Sequence, residues 1–123
     1  MVFDQRHAAT QLTVEVRDRT PDVVTVGISG ELDRETCATA ERVITELLRT
    51  ERPRCVALDM SEVTFMGADG IHVLLICRQS AEQLNCRLGI SRAHERVRRV
   101  LTMVCLDDVL TLATDGLKPL TRR

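Results

Sequence analysis

Two short segments, Gly30-Glu31-Leu32-Asp33 and Gly67-Ala68-Asp69-Gly70, are where residue type and spacing in this chain could do chemistry. The second opens a helical periodicity, so free backbone N–H groups and a partial positive charge gather there, and Gly67, Ala68 and Gly70 let another chain approach that backbone closely. That is the chemistry of a contact surface. A sharp turn permitted by Gly67 and Gly70, with Asp69 as the helix N-cap, is the plainer account of the same residues. No catalytic set accompanies them. His7, His72 and His94 lack metal-ligand spacing, and His72 and His94 fit exposed helix positions better than bases. The chain has no P-loop and no G-x-G-x-x-G, so direct ATP use is not expected. Cys37, Cys55, Cys77, Cys86 and Cys105 contain no C-x-x-C pair and several of them fall within apolar stretches, which predicts buried free thiols rather than a zinc site or disulfides. No metal, no cofactor and no enzymatic activity are expected.

The elements that must position these segments follow from hydrophobic period. Leu12, Val14 and Val16 alternate with polar residues as in a half-buried strand, Thr20-Pro21-Asp22 supplies a turn, and Val23 to Ser29 returns as a second strand, giving an antiparallel hairpin at one edge of a sheet. After Gly30 the period lengthens. Cys37, Ala40, Val43, Ile44, Leu47 and Leu48 share one helical face, with Asp33 where an N-cap belongs, Glu35 in the first turn, and Arg52-Pro53 at the end. Cys55 to Leu58 is a short apolar run, the mark of a central strand, and Val63 to Met66 approaches a second helix that begins at Gly67 and continues through Ile71, Leu74, Leu75, Ala81 and Leu84. Arg87 to Ile90 predicts another strand. Ser91 is placed to cap a third helix with Ala93, Val97, Val100, Leu101 and Val104 inward, and Val109 to Leu112 predicts a last strand. The order β-β-α-β-α-β-α-β predicts an α/β fold: a mixed sheet, mostly parallel with an antiparallel N-terminal edge hairpin, and helices packed on it.

Composition narrows the function further. The 123 residues suit one domain, expected over residues 11–116 with loosely held ends at 1–10 and 117–123. The formal net charge is -1 and no basic run occurs, which argues against a dedicated nucleic-acid binder. Aromatics make up 2% of the chain, too few for base-stacking platforms or aromatic cages. No apolar run reaches the length of a membrane span, and residues 1–7 lack the apolar stretch of a signal peptide, so a cytoplasmic protein is expected.

The stretch Leu58-Asp59-Met60-Ser61-Glu62-Val63-Thr64-Phe65-Met66-Gly67-Ala68-Asp69-Gly70 resembles the signature L-D-[LM]-S-x-[VL]-x-[FY]-[MI]-D-S-[SA]-G of the STAS family, the domain shared by sulfate transporters and anti-sigma factor antagonists. Gly-Glu-Leu-Asp ahead of the first helix is a second match, and the resemblance, strongest to free-standing bacterial antagonists, runs from about Leu12 to Gly116. It implies a protein-binding regulator that engages an anti-sigma factor, usually of the histidine-kinase-like ATPase fold, and so frees a sigma factor for transcription. In such antagonists the serine after the signature Asp is phosphorylated by the partner kinase, which releases that partner. This chain departs there: Gly67 replaces the Asp and Ala68 occupies the phosphoacceptor place, leaving no hydroxyl for that switch. The partner surface implied by the resemblance comprises Glu31, Leu32, Asp33, Gly67, Ala68, Asp69, Gly70 and Ile71.

Other readings of particular residues stand beside this one. Asp69 could be a cap, a charge recognised by a partner, or a partial mimic of the phosphorylated state, though it carries one charge against nearly two and lies one residue late. Asp59 at a strand end, with Lys118 after the last strand, resembles a response-regulator receiver, but Asp18 offers one carboxylate where an adjacent acidic pair would hold Mg²⁺. Arg92, Arg96, Arg98 and Arg99 crowd the third helix as a solvated face or a site for an acidic partner. A STAS scaffold or small-ligand sensor in a larger signalling assembly is the alternative function.

Overall fold

The alternation of Leu12, Val14 and Val16 with Thr13, Glu15 and Arg17 becomes strand β1 (Leu12–Arg19) in the computed structural model, which describes residues 12–111. Leu12 and Val14 are buried and Val16 packs against them, so one side of the strand faces the core. The turn that follows is closed by Thr20 rather than Asp22. The Thr20 hydroxyl oxygen accepts from the backbone N–H groups of Asp22 (3.3 Å) and Val23 (3.0 Å), and the Thr20 N–H donates to the Val23 carbonyl (2.8 Å). Strand β2 (Val23–Leu32) then returns antiparallel to β1. It runs three residues beyond the expected end at Ser29, into the first candidate segment.

Helix α1 (Cys37–Glu51) buries Ala40, Ile44, Leu47 and Leu48, the stripe expected from the sequence. It stops at Arg52, whose φ of 46° is left-handed and whose N–H reaches the Leu48 carbonyl, and Pro53 follows. Arg19 clamps the Glu51 carboxylate with both guanidinium arms, at 3.0 and 2.6 Å, tying the end of β1 to the end of α1.

The sequence suggested a short strand over Cys55–Leu58 and a separate approach over Val63–Met66. The structure joins them into one 12-residue strand, β3 (Cys55–Met66). The alternation breaks because β3 bulges: Gly27 pairs with Asp59, but Ser29 pairs with Glu62. A bulge shifts the phase of the pleat without ending the strand, so Val56, Leu58 and Met60 face the core, then Val63 past this bulge, and Met66 past a second one where pairing passes from Gly30↔Val63 to Glu31↔Phe65.

Helix α2 (Ala68–Gln83), strand β4 (Arg87–Ala93), helix α3 (Glu95–Met103) and the short helix α4 (Asp107–Leu110) complete the described chain. Strand order is β1-β2-β3-β4, antiparallel between β1 and β2 and parallel elsewhere. This is the expected mixed α/β architecture with its edge hairpin, and the helices' buried residues join the inward strand residues in one aliphatic core. Three expectations fail near the end. Ser91 lies in β4, its hydroxyl donating to the Leu58 carbonyl at 3.3 Å, and the cap of α3 is His94, whose Nδ1 accepts from the Arg96 N–H at 3.0 Å. The strand expected over Val109–Leu112 is instead the last turn of α4 followed by a single parallel bridge from Thr111 to Ile90; Leu112 lies outside the described residues. A run of four apolar residues satisfies a buried helical turn as readily as a strand, and Leu110 turns into the core while Val109 stays exposed. Val104, expected inward, is also exposed. The expected ends at 1–10 and 117–123, and the domain limits at 11 and 116, fall outside the described residues.

Candidate functional site

The two sequence segments meet because β2 and β3 are parallel neighbours that end side by side. Glu31 is registered against Phe65 and Leu32 against Met66, and the Gly67 N–H donates to the Leu32 carbonyl at 3.2 Å. The first segment is therefore mostly strand: Gly30, Glu31 and Leu32 belong to β2, and only Asp33 lies in the turn beyond. Gly30 takes a φ of 107°, a left-handed backbone that favours glycine. Leu32 is fully buried, so it anchors the surface from beneath.

Asp33 does not cap α1, which begins four residues later. Its Oδ1 accepts from the N–H groups of Glu35 (2.9 Å) and Thr36 (3.1 Å), closing the turn that leads into the helix. The sequence reading missed Thr36, the only buried polar side chain among the described residues. Its hydroxyl donates to the Glu31 carbonyl at 2.8 Å and its oxygen accepts from the Asp33 N–H at 3.0 Å, so it pins the whole segment. The spacing Asp-x-x-Thr was the available signal. Glu35 precedes α1, whose first turn holds no acidic residue.

At α2 the N-cap is Gly67, in an extended conformation (φ -98°, ψ -171°) with no side chain to offer. Asp69 is not the cap; it lies inside the first turn, exposed, where its negative charge still suits the helix N-terminus. Ala68 is exposed and Ile71 half-buried. Gly70 is buried by necessity, since a Cβ there would sit 2.7 Å from the Met66 side chain and 3.0 Å from both the Leu32 side chain and its carbonyl oxygen. Gly67 is under no such constraint. Its Cβ would meet only the Phe65 ring, at an ordinary 3.4 Å.

Phe65 is the second residue the sequence reading missed as a site. Treated as part of an apolar approach to the turn, it is instead 49% exposed beside Glu31 and Gly67. Glu62 and Thr64 are exposed on the same strand, and the Thr64 hydroxyl reaches the Gly30 carbonyl at 3.4 Å. The assembled surface thus carries an aromatic ring and the Ala68 methyl, flanked by Glu31, Glu62 and Asp69.

The remaining candidates lie elsewhere. Asp59 is committed to structure: it accepts from the Ser61 hydroxyl (2.7 Å), the Ser61 N–H (3.0 Å) and Arg17 (3.2 Å). Burial pushes its carboxyl upward, but the Ser61 hydrogen bonds and then the charges of Arg17 and Arg92 outweigh that and hold it below its ordinary value. Lys118, its supposed companion, lies outside the described residues. His72 is exposed on α2, and Arg92, Arg96, Arg98 and Arg99 are exposed on and before α3, Arg99 paired with Glu95 at 2.9 Å. Among the thiols, burial pushes Cys77 up to about 12 and Cys86 up to about 11, whereas Cys105, expected to be buried, is exposed and Cys37 half-buried.

Comparison with known proteins bears on the family and the fold. A profile of the STAS domain matches residues 13–116. The anti-sigma-F factor antagonist RsfB of Mycobacterium tuberculosis is 29% identical over 105 residues, covering 85% of this chain and 84% of that protein. An anti-sigma-B factor antagonist of Listeria monocytogenes is 21% identical over 101 residues, covering 82% and 88%. In fold, an anti-sigma factor antagonist from Mycobacterium paratuberculosis superposes with a TM-score of 0.73 at 24% identity, covering 85% of this chain and 88% of that one.

Proposed function

This chain belongs to the STAS domain family, and on that premise we propose that it is an anti-sigma factor antagonist: it binds an anti-sigma factor and so frees a sigma factor for transcription. It works by binding rather than catalysis, in the cytoplasm, through a domain spanning residues 11–116. The partner is an anti-sigma factor of the histidine-kinase-like ATPase fold. The contact surface is the start of α2 with the adjoining end of β2: Glu31, Asp33, Gly67, Ala68, Asp69 and Ile71 at or near the surface, and Leu32 and Gly70 holding it from below.

One observation carries this reading. The parallel register of β2 and β3 brings the Gly-Glu-Leu-Asp segment against the helix start, with Gly67 bonded to the Leu32 carbonyl, so two motifs 34 residues apart or more form one face. At the place where a serine would be phosphorylated, Ala68 is exposed and has no hydroxyl. The complex therefore forms irrespective of any kinase activity of the partner toward that position.

The test mixes the purified chain with anti-sigma factors from the same cell and measures both affinity and release of the bound sigma factor. Binding that displaces a sigma factor is the expected result. Wild-type affinity in Ala68→Arg would remove the surface from the α2 start, and if Arg96→Glu then abolished binding, the surface would move to α3.

A further inference from the structure

We propose that Phe65 is the apolar anchor of the partner surface, uncovered by the glycine at position 67, and that the partner meets it with an apolar pocket bordered by basic side chains. This deepens the proposed anti-sigma contact and rests on it.

Phe65 is the one aromatic side chain among the described residues, and about half of it faces solvent. A chain with so few large rings gains nothing in stability by leaving this one out of its core, since removing apolar surface from water is what favours the fold. Its surroundings explain the exposure. Position 65 sits at the end of β3 with Glu31 of β2 as its lateral neighbour, and on its other side stands Gly67. A Cβ at Gly67 would lie 3.4 Å from Cε2 and 3.5 Å from Cζ of the ring, ordinary van der Waals contact. Any residue other than glycine would therefore shield that edge, and the aspartate of the family signature would set a carboxylate beside it. The backbone makes no demand for glycine, because φ at Gly67 is -98°. The replacement pair Gly67-Ala68 thus has a single consistent effect: it removes an aspartate and a phosphorylatable serine and leaves a ring edge, a bare backbone and a methyl group. A polar, switchable contact becomes a permanent apolar one.

The rim sets the partner's charge. Glu31 flanks the ring, Glu62 is exposed on the same strand, and Asp69 is exposed in the first turn of α2. None of the three forms an ion pair among the described residues. An anchor with the unpaired Glu31 as its lateral neighbour, and with Glu62 and Asp69 exposed on the adjoining β3 and α2 positions, fits a pocket edged by arginine or lysine rather than by acids.

The experiment measures affinity for the cognate anti-sigma factor across Phe65→Ala, Phe65→Leu, Gly67→Asp and Ala68→Arg, with Met103→Ala as an exposed apolar control on α3, and records each variant's melting temperature. We expect Phe65→Ala and Gly67→Asp to weaken binding about tenfold or more with little change in melting, Phe65→Leu to fall between, and Met103→Ala to bind normally. Raised salt should weaken the wild-type complex. As a second measurement, the protein is labelled with fluorophenylalanine, which gives two resonances for its two Phe residues; the one assigned by Phe65→Leu should shift on saturation with the partner. If Ala68→Arg abolishes binding while Phe65→Ala and Gly67→Asp bind as wild type, or the Phe65 resonance does not move, the anchor is refuted and the contact surface stands. If Ala68→Arg also binds normally, the surface itself is wrong and the anchor falls with it.

Discussion

Arg17 on β1 crosses over Gly27 on β2 to reach Asp59 on β3. The guanidinium Nη1 lies 3.2 Å from Asp59 Oδ2, and a Cβ on Gly27 would fall 2.0 Å from Arg17 Nε, inside the space the side chain occupies. Arg17 is the extra residue of a bulge in β1, where pairing passes from Val16↔Val26 to Asp18↔Thr25, and Asp59 borders the bulges in β3 and β4. The latch therefore spans three strands at the level where each leaves regular register. It ties β1 to the middle of β3 across β2.

Gly27→Ala should displace Arg17 and break this latch, costing about 1 kcal/mol, and should cost much less in an Arg17→Ala background. Asp59→Ala, which also strands the Ser61 hydroxyl, should cost about 1–3 kcal/mol. Urea titration of the four-member cycle checks this. Equal costs of Gly27→Ala in both backgrounds would mean that the side chains do not interact.

The depressed Asp59 carboxyl makes part of the stability depend on pH. A carboxylate whose folded pKa lies below its unfolded value contributes fully above the unfolded value, about 3.9, and loses that contribution as pH falls through the folded value. Asp59→Asn should accordingly be less stable than wild type at pH 7, with the gap narrowing below about pH 4. A gap constant from pH 7 to 3 would show that the charge of Asp59 contributes nothing.

Thiol labelling of the native protein should divide the cysteines. Cys105 is exposed and should react first; Cys77 and Cys86 are buried, with burial raising their pKa, and should react only on unfolding. Mass spectrometry of partially labelled protein resolves the sites. Early modification of Cys77 would contradict the packing of α2 on the sheet.

Gly70→Ala should destabilise by about 1–3 kcal/mol, because the added methyl meets the Leu32 carbonyl as well as two side chains and the backbone cannot step aside. Gly67→Ala, with only the Phe65 ring as neighbour, should leave melting nearly unchanged. Similar losses for both would place the constraint in the turn rather than in the packing.

Incubated with the proposed anti-sigma partner and ATP, the wild-type chain should take up no phosphate at the start of α2, while Ala68→Ser with Gly67→Asp should take up one there and fall in affinity below its own unphosphorylated form. Phosphorylation mapped by mass spectrometry decides it. Phosphate on Ser61 or Thr64 of the wild type would reveal a different switch.

Most of this architecture is legible in local periodicity. The inward faces of β1, β2 and α1, the helix stop at Arg52-Pro53 and the start of α2 beyond Gly67 all follow from apolar spacing and turn chemistry within a dozen residues, whereas α2 buries Val73 and Cys77 and leaves the expected Ile71, Leu75 and Leu84 half-buried. The absence of a hydroxyl at position 68 is likewise a matter of residue identity. The failures lie where local signals are degenerate. A four-residue apolar run at Val109–Leu112 suits either a strand or a helical turn, and His94 and Gly67 displaced Ser91 and Asp69 as caps because strand ends and register, not side-chain preference, determined where α3 and α2 begin. The exposure of Phe65 and the path of Arg17 over Gly27 to Asp59 depend on the parallel pairing of β2 with β3, strands distant in sequence, and on bulges that shift the pleat. No window along the chain contains both partners of such a contact, so only the packed sheet could decide which side chains were covered and which were left facing outward.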